Sequence, residues 1–139
     1  MLKQISVFLP NKPGVLAGFF ELLMDNKIFI RSMTVAETED YGLLLLLVDQ
    51  YEKCVLLLED KDYLHSVSEV VAVKLFDNIS DLYNIAKTLG EYKINIEYLY
   101  FLILKSKENG IILRLDDNEG GVEVLRKHGF AIIDEIVEI

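Results

Sequence analysis

The stretch Asn11-Lys12-Pro13-Gly14-Val15-Leu16 is where this chain is best equipped to hold an anion. Pro10, Pro13 and Gly14 punctuate a loop between a strand-like run and a segment of helical periodicity. Backbone N–H groups at Gly14, Val15 and Leu16 then open a helix. There they lack intrahelical acceptors and lie at the positive end of the helix dipole. A carboxylate suits such a position, and Gly14 has no side chain to keep it away. The same Pro-Gly pair also serves as plain turn and helix-start chemistry, so both readings stand at this point.

Bond-making chemistry finds fewer residues. His65 and His128 stand alone without metal-ligand spacing, and His128 before Gly129 is explained by the favourable end of a helix dipole. Cys54 lies within a leucine-rich helical face, which suits a buried thiol better than a nucleophile. Glu59-Asp60 and Asp116-Asp117 fall in expected loops or helix ends, with no partner to set their roles apart. Gly120-Gly121 lacks the flanks of a phosphate loop. No catalytic set, metal site or cofactor is expected.

The elements that would position the loop occur twice. Leu16, Phe19, Phe20 and Leu23 recur 66 residues later as Leu82, Ile85, Ala86 and Leu89, each quartet with the i, i+3, i+4, i+7 spacing of one helix face. The first copy reads as strand 1–9, helix 15–26, strand 28–35, a turn at 37–42, strand 43–48, helix 51–60 with Cys54, Val55 and Leu58 inward, and strand 62–67. The second reads as strand 70–76, helix 80–92, strand 94–104, a turn at 105–110, strand 111–115, helix 118–128 stopped by Gly129, and strand 130–139. Only Ser68 and Glu69 part the copies, so domains at 1–68 and 69–139 would be joined almost without a linker. Both copies are β-α-β-β-α-β. The expected fold class is α+β: two tandem ferredoxin-like domains, each an antiparallel sheet with its helices on one face.

Leu43 to Val48 and Tyr98 to Leu104 are apolar without alternation, whereas a half-exposed strand alternates. Both faces of these strands are therefore expected to be covered, either by a second copy in a homodimer or by the two sheets of one chain packing together. At 139 residues and 52% apolar the chain can form a core, and at net charge −9 with no basic block beyond Arg126-Lys127 it does not suit nucleic acid. The apolar runs are too short to span a membrane. The N-terminus lacks a signal-peptide pattern, and the lone Cys54 has no intramolecular disulfide partner. The expected compartment is the cytoplasm.

Asn11 to Leu16, between first strand and first helix, resembles the Asp-x-Pro-Gly-x-Leu entry of the ACT domain family, and Ile94-Asn95-Ile96-Glu97-Tyr98 is similar to that family's second strand. The resemblance spans essentially the whole chain as a tandem pair. It implies a non-catalytic sensor that binds an amino acid and regulates an enzyme in trans. Ligand contacts carried over from it are Asn11, Lys12, Pro13, Gly14, Val15 and Leu16, faced by Asn95, Ile96, Glu97 and Tyr98, because family ligands sit between two modules. Asn11 or Glu97 would then meet the ligand's ammonium group. Two departures stand out. Asn11 replaces the usual Asp, and the second copy has Asp77, Asn78, Ile79 and Ser80 where the first has Asn11 to Gly14, so one good site per chain is expected. Competing readings are a small acyl-phosphate hydrolase on the same scaffold, which lacks an arginine in the first loop, and a ligand-free adaptor that recruits a partner protein.

Overall fold

The computed structural model describes residues 1–37 and 41–135. The elements run β1 (Leu2–Pro10), α1 (Val15–Asp25), β2 (Ile30–Glu37), β3 (Tyr41–Val48), α2 (Tyr51–Asp60), β4 (His65–Lys74), α3 (Asn78–Glu91), β5 (Ile96–Ile103), β6 (Asn109–Leu115), α4 (Asn118–Lys127) and β7 (Ile132–Ile133). They fall into two compact units, Lys3–Ser68 and Met1–Leu2 with Glu69–Ile139. In the first unit the strand order is β2-β3-β1-β4, and in the second it is β5-β6-β4-β7. These are the same order counted from each unit's own first strand. The pairs β1·β3, β2·β3, β4·β6, β4·β7 and β5·β6 are all antiparallel, as the split βαβ arrangement requires.

Each unit has its own core. In the first, Phe19 and Leu23 of α1 and Cys54 and Leu58 of α2 pack on Ile5, Val7, Leu44 and Leu46. In the second, Ile85 and Leu89 of α3 and Leu125 of α4 pack on Val71, Val73, Ile111 and Leu113. The apolar quartets thus meet the sheet through their second and fourth members, whereas Leu16 and Ala86 are exposed.

The duplication reaches fine detail. All four helices close with paired bonds from the two residues past the cap, such as Lys27 N–H to Met24 O with Ile28 N–H to Leu23 O, and Lys93 N–H to Gly90 O with Ile94 N–H to Leu89 O. In this motif the residue in the left-handed region is followed by an apolar one that folds back. Lys27, Asp62, Lys93 and Gly129 occupy that region, and only the last is glycine. β2 and β5 carry a register shift at matched positions, between Ile30 and Ser32 and between Ile96 and Tyr98. Asp49 and Asp116 each clamp the chain ahead of those bulges, by bonds with Phe29 and Asn95 respectively.

Several expectations are corrected. The strands expected at 62–67 and 70–76 are one strand, β4, because Ser68 and Glu69 keep extended geometry instead of turning. Within 130–139 the described strand is only Ile132–Ile133, and Ile136 to Ile139 lie outside the described residues, as do Thr38 to Asp40 of the expected turn at 37–42. Met1 and Leu2 group with the second unit, where Met1 joins its core and the terminal ammonium meets Asp134 at 3.4 Å. Leu44 to Val48 are buried within the single chain, so covering them requires no second copy. β5 is not covered on both faces. Tyr100 and Leu102 are buried, while Leu99, Phe101 and Ile103 are 45%, 50% and 67% exposed, because β5 is the edge strand of its unit.

Candidate functional site

The first-unit candidates stand together around the entrance of α1. Lys12 N–H donates to Pro10 O at 2.9 Å, which tightens the turn, and Gly14 caps the helix with φ of 85°. That φ lies in the left-handed region and is the reason glycine is needed there. A Cβ on Gly14 would meet nothing within 4 Å, so space is not the reason. The Val15 N–H is used within the turn, donating to Lys12 O at 3.3 Å, which corrects its expected role as a free donor. Gly14, Leu16 and Ala17 keep N–H groups with no acceptor among the described residues. The first turn of α1 carries no acidic side chain, so nothing there offsets the positive end of the dipole.

A cavity of about 130 Å³ opens beside this entrance, lined by Leu9, Pro10, Asn11, Lys12, Val15 and Leu16, and by Val35, Gly42 and Leu44. One water needs about 10–15 Å³ by this kind of measure, so there is room for several ligand atoms. Lys12 is the one ionisable group among the described lining residues. Pro13 and Gly14 shape the turn without lining the cavity. Val35 and Leu44 are cross-strand partners, which places them on one sheet face. Sequence reasoning missed Val35, Gly42 and Leu44, since they enter by strand pairing from 20 or more residues away. The arrangement offers donors for a carboxylate, one cation and an apolar wall.

The other candidates belong to the second unit, on and just before β5. Asn95 is exposed, and its backbone is held by Asp116: Asn95 N–H donates to Asp116 Oδ1 at 2.9 Å, and Asn95 O accepts from Asp116 N–H at 3.1 Å. Glu97 sits in the bulge and is paired with Arg114 Nε at 3.4 Å, so it is a partnered carboxylate rather than a waiting ammonium acceptor. Ile96 and Tyr98 are half-buried. The rings of Tyr98 and Tyr100 stack at 6.5 Å, and burial, with Tyr98 adding, pushes the Tyr100 phenol up, which keeps it neutral. Tyr100 is a core residue and Tyr98 lies at its margin.

Residues set aside as non-catalytic have structural partners. His65 Nδ1 lies 2.8 Å from Tyr63 O, and His128 Nε2 lies 3.2 Å from Tyr92 Oη. Cys54 is fully buried, and burial, with Asp49 adding, pushes its thiol up to about 11. A thiol held protonated is a poor nucleophile. Among the described residues no cluster of three His, Cys, Asp or Glu could hold a metal, and no helix is long and apolar enough to cross a membrane.

A comparison with curated proteins finds no match. Among solved structures, protein BT0572 from Bacteroides thetaiotaomicron is similar at 25% identity and a TM-score of 0.88, covering 95% of this chain and 91% of the other. The regulatory subunit of aspartate kinase from Thermus thermophilus, in its ligand-free form, shares the fold at 15% identity and a TM-score of 0.63, over 91% and 92% of the two chains. Its counterpart from Thermus flavus does so at 13% identity and 0.61, over 90% of each. The repeated βαββαβ order agrees with the family model described as an ACT domain pair, which matches residues 1–137, and the chain belongs to that family.

Proposed function

We propose that this protein is a non-catalytic regulator that binds a small amino acid at the Asn11–Leu16 loop and passes its occupancy to another protein. One observation carries the reading: the N–H groups of Gly14, Leu16 and Ala17, without acceptors among the described residues, stand beside a cavity whose described lining includes Lys12 as its one ionisable group. That set matches the carboxylate of an amino acid, and the small cavity favours a short side chain. Asn11 supplies an acceptor for the ammonium group. On the resemblance of this strand to the family's second strand alone, Asn95, Ile96 and Tyr98 are further candidate ligand contacts, and Glu97, held by Arg114, is not. Each half, 1–68 and 69–139, acts as one ACT module in the cytoplasm. The shared fold with the regulatory subunit of aspartate kinase supports a controlled enzyme as the listener in trans. Regulation needs a differential affinity of only about 1–3 kcal/mol between two states of the protein.

A panel of the twenty amino acids in a thermal-shift assay tests the reading. A ligand at 100 times its Kd stabilises the native state by about 2.7 kcal/mol. One or a few small amino acids should raise Tm, and a flat response to all twenty at millimolar levels would overturn the proposal. The apolar outer face of β5, with Leu99, Phe101 and Ile103, favours assembly into a homodimer as part of the same proposal. Sedimentation of Phe101→Glu beside the native chain checks it, since a dimer through this face should dissociate.

A further inference from the structure

The far end of α1, away from the Asn11–Leu16 loop, carries apolar surface that the fold does not need. A cavity of about 270 Å³ lies where α1 runs into β2. Its lining passes from buried Leu23 and Ile28 through half-buried Phe20 and Ile30 to Met24 and Phe29, which are 69% and 61% exposed. The second unit serves as an internal control. At the 66-residue offset Leu23, Lys27 and Ile28 become Leu89, Lys93 and Ile94, so the base is retained, whereas Phe20, Met24 and Phe29 become Ala86, Gly90 and Asn95. Both helices nevertheless end in the same pair of backbone bonds. Closing the helix therefore does not account for the three large apolar residues of the first unit. Exposed apolar side chains gathered around a concavity mark a binding site.

The charges beside this cavity are uncommitted. Lys27 is the one ionisable group among the described lining residues. Lys53 Nζ and Gln50 Nε2 take the carbonyls of Asn26 and Lys27, at 2.6 and 3.0 Å, so other side chains serve the helix end. Lys27 Nζ has no partner among the described residues. Arg31, one residue beyond the lining Ile30, is likewise exposed and unpaired among them, whereas its counterpart Glu97 is held by Arg114 at 3.4 Å. Of the carboxylates close by in sequence, Glu21 and Asp25 do not line the cavity, and Asp49 accepts from Phe29 N–H at 2.9 Å. Two free cations beside apolar walls complement an apolar body with one negative end.

The geometry points to a second binding site on the first unit, for a small apolar monocarboxylate whose hydrocarbon part lies among Phe20, Met24 and Phe29 and whose carboxylate meets Lys27. A free acid fits better than a protein segment, because two exposed apolar side chains fall far short of the roughly 800 Å² per partner that a stable protein interface buries. A zwitterion would bring its ammonium group to the same cations, so this ligand class differs from the amino acid proposed for the loop. The site stands independently of that reading.

The test is a ¹H–¹³C and ¹H–¹⁵N titration of the full chain with sodium hexanoate, with 1-hexanol as the neutral control and sodium acetate as the short one, at constant ionic strength. The Met24 methyl and the amides of Ile28 and Phe29 should shift saturably with hexanoate, about three- to fivefold more tightly than with hexanol, as an exposed ion pair allows. Acetate should not saturate them, and pentanoate should bind about threefold more weakly than hexanoate for its missing methylene. Lys27→Gln should abolish the preference over hexanol while leaving hexanol itself unchanged. Phe29→Asn places at this exposed position the residue type that the second unit already folds with, and it should weaken both ligands about fivefold or more. Equal binding of hexanol and hexanoate, an unchanged response in Phe29→Asn, or silence of residues 23–30 would overturn the inference. Silence of those residues with a lower sedimenting mass for Phe29→Asn would overturn it in favour of a contact between copies. The amides of Gly14, Leu16 and Ala17 report on the loop separately, so a failure there leaves this site standing.

Discussion

Replacing Gly14 by alanine probes the helix entrance at a single bond. Gly14 has φ of 85°, a conformation that costs an L-residue about 1–2 kcal/mol. A methyl group there meets nothing within 4 Å, so no clash adds to this. Alanine also lowers the entropy of the unfolded chain, which returns about 0.4–1 kcal/mol. The net expectation for Gly14→Ala is a loss of about 0.5–1.5 kcal/mol. Asparagine tolerates the left-handed region, so Gly14→Asn should lose only a few tenths. Urea unfolding reads the difference as a lower midpoint at unchanged slope. If alanine instead relaxes to negative φ, the N–H groups of Leu16 and Ala17 turn away from where a carboxylate would sit. The ligand-induced rise in Tm should then disappear in Gly14→Ala and persist in Gly14→Asn. Alanine and asparagine variants equal to the native protein within about 0.3 kcal/mol, with the ligand response intact, would refute the reasoning, because neither φ nor the donor directions would then matter.

Three further outcomes follow from the packing. Lys93, with φ of 59°, fills a helix-terminating position that favours glycine, so Lys93→Gly should stabilise the protein by about 0.5–1 kcal/mol in chemical denaturation. Gly121 on α4 lies so close to the Leu115 side chain that an added Cβ would overlap its Cδ1, and Gly121→Ala should cost about 1–3 kcal/mol by the same measurement. The Cys54 thiol is pushed up to about 11 from about 9, so the unfolded chain releases its proton first as pH rises. Stability should hold below pH 9 and fall by up to about 2–3 kcal/mol between pH 9 and 11, and the difference between the native protein and Cys54→Ala, followed across that window, isolates the effect.

The fold was legible because its signals are local. Helical spacing at Phe19 and Leu23, repeated at Ile85 and Leu89, located α1 and α3, and α2 falls on residues 51 to 60 as expected. Pro10, Pro13 and Gly14 marked the turn now seen at the α1 entrance. The errors occurred where neighbours in space decide. Tyr98 to Leu104 reads as buried on both sides in composition, yet Phe101 and Ile103 are exposed because β5 ends its unit's sheet. Ser68 and Glu69 look like a joint and instead continue one strand, β4, from His65 to Lys74.

The residues around the loop divide the same way. The sequence by itself determined the paired βαββαβ plan, the glycine at the α1 entrance and the free N–H groups of Gly14 and Leu16, because backbone conformation and helix ends obey short-range rules, whereas the Val15 N–H expected to be free is taken by Lys12 O and Ala17 supplies a donor in its place. Only the tertiary structure decided that Val35, Gly42 and Leu44 complete the cavity, that Glu97 is spoken for by Arg114, and that Asp81 lies on the N–H groups of Phe76 and Asp77. Those facts depend on which strands pair and where a flexible side chain finds its partner. Such choices are settled by the summed energy of the folded chain and leave no fixed spacing in the sequence.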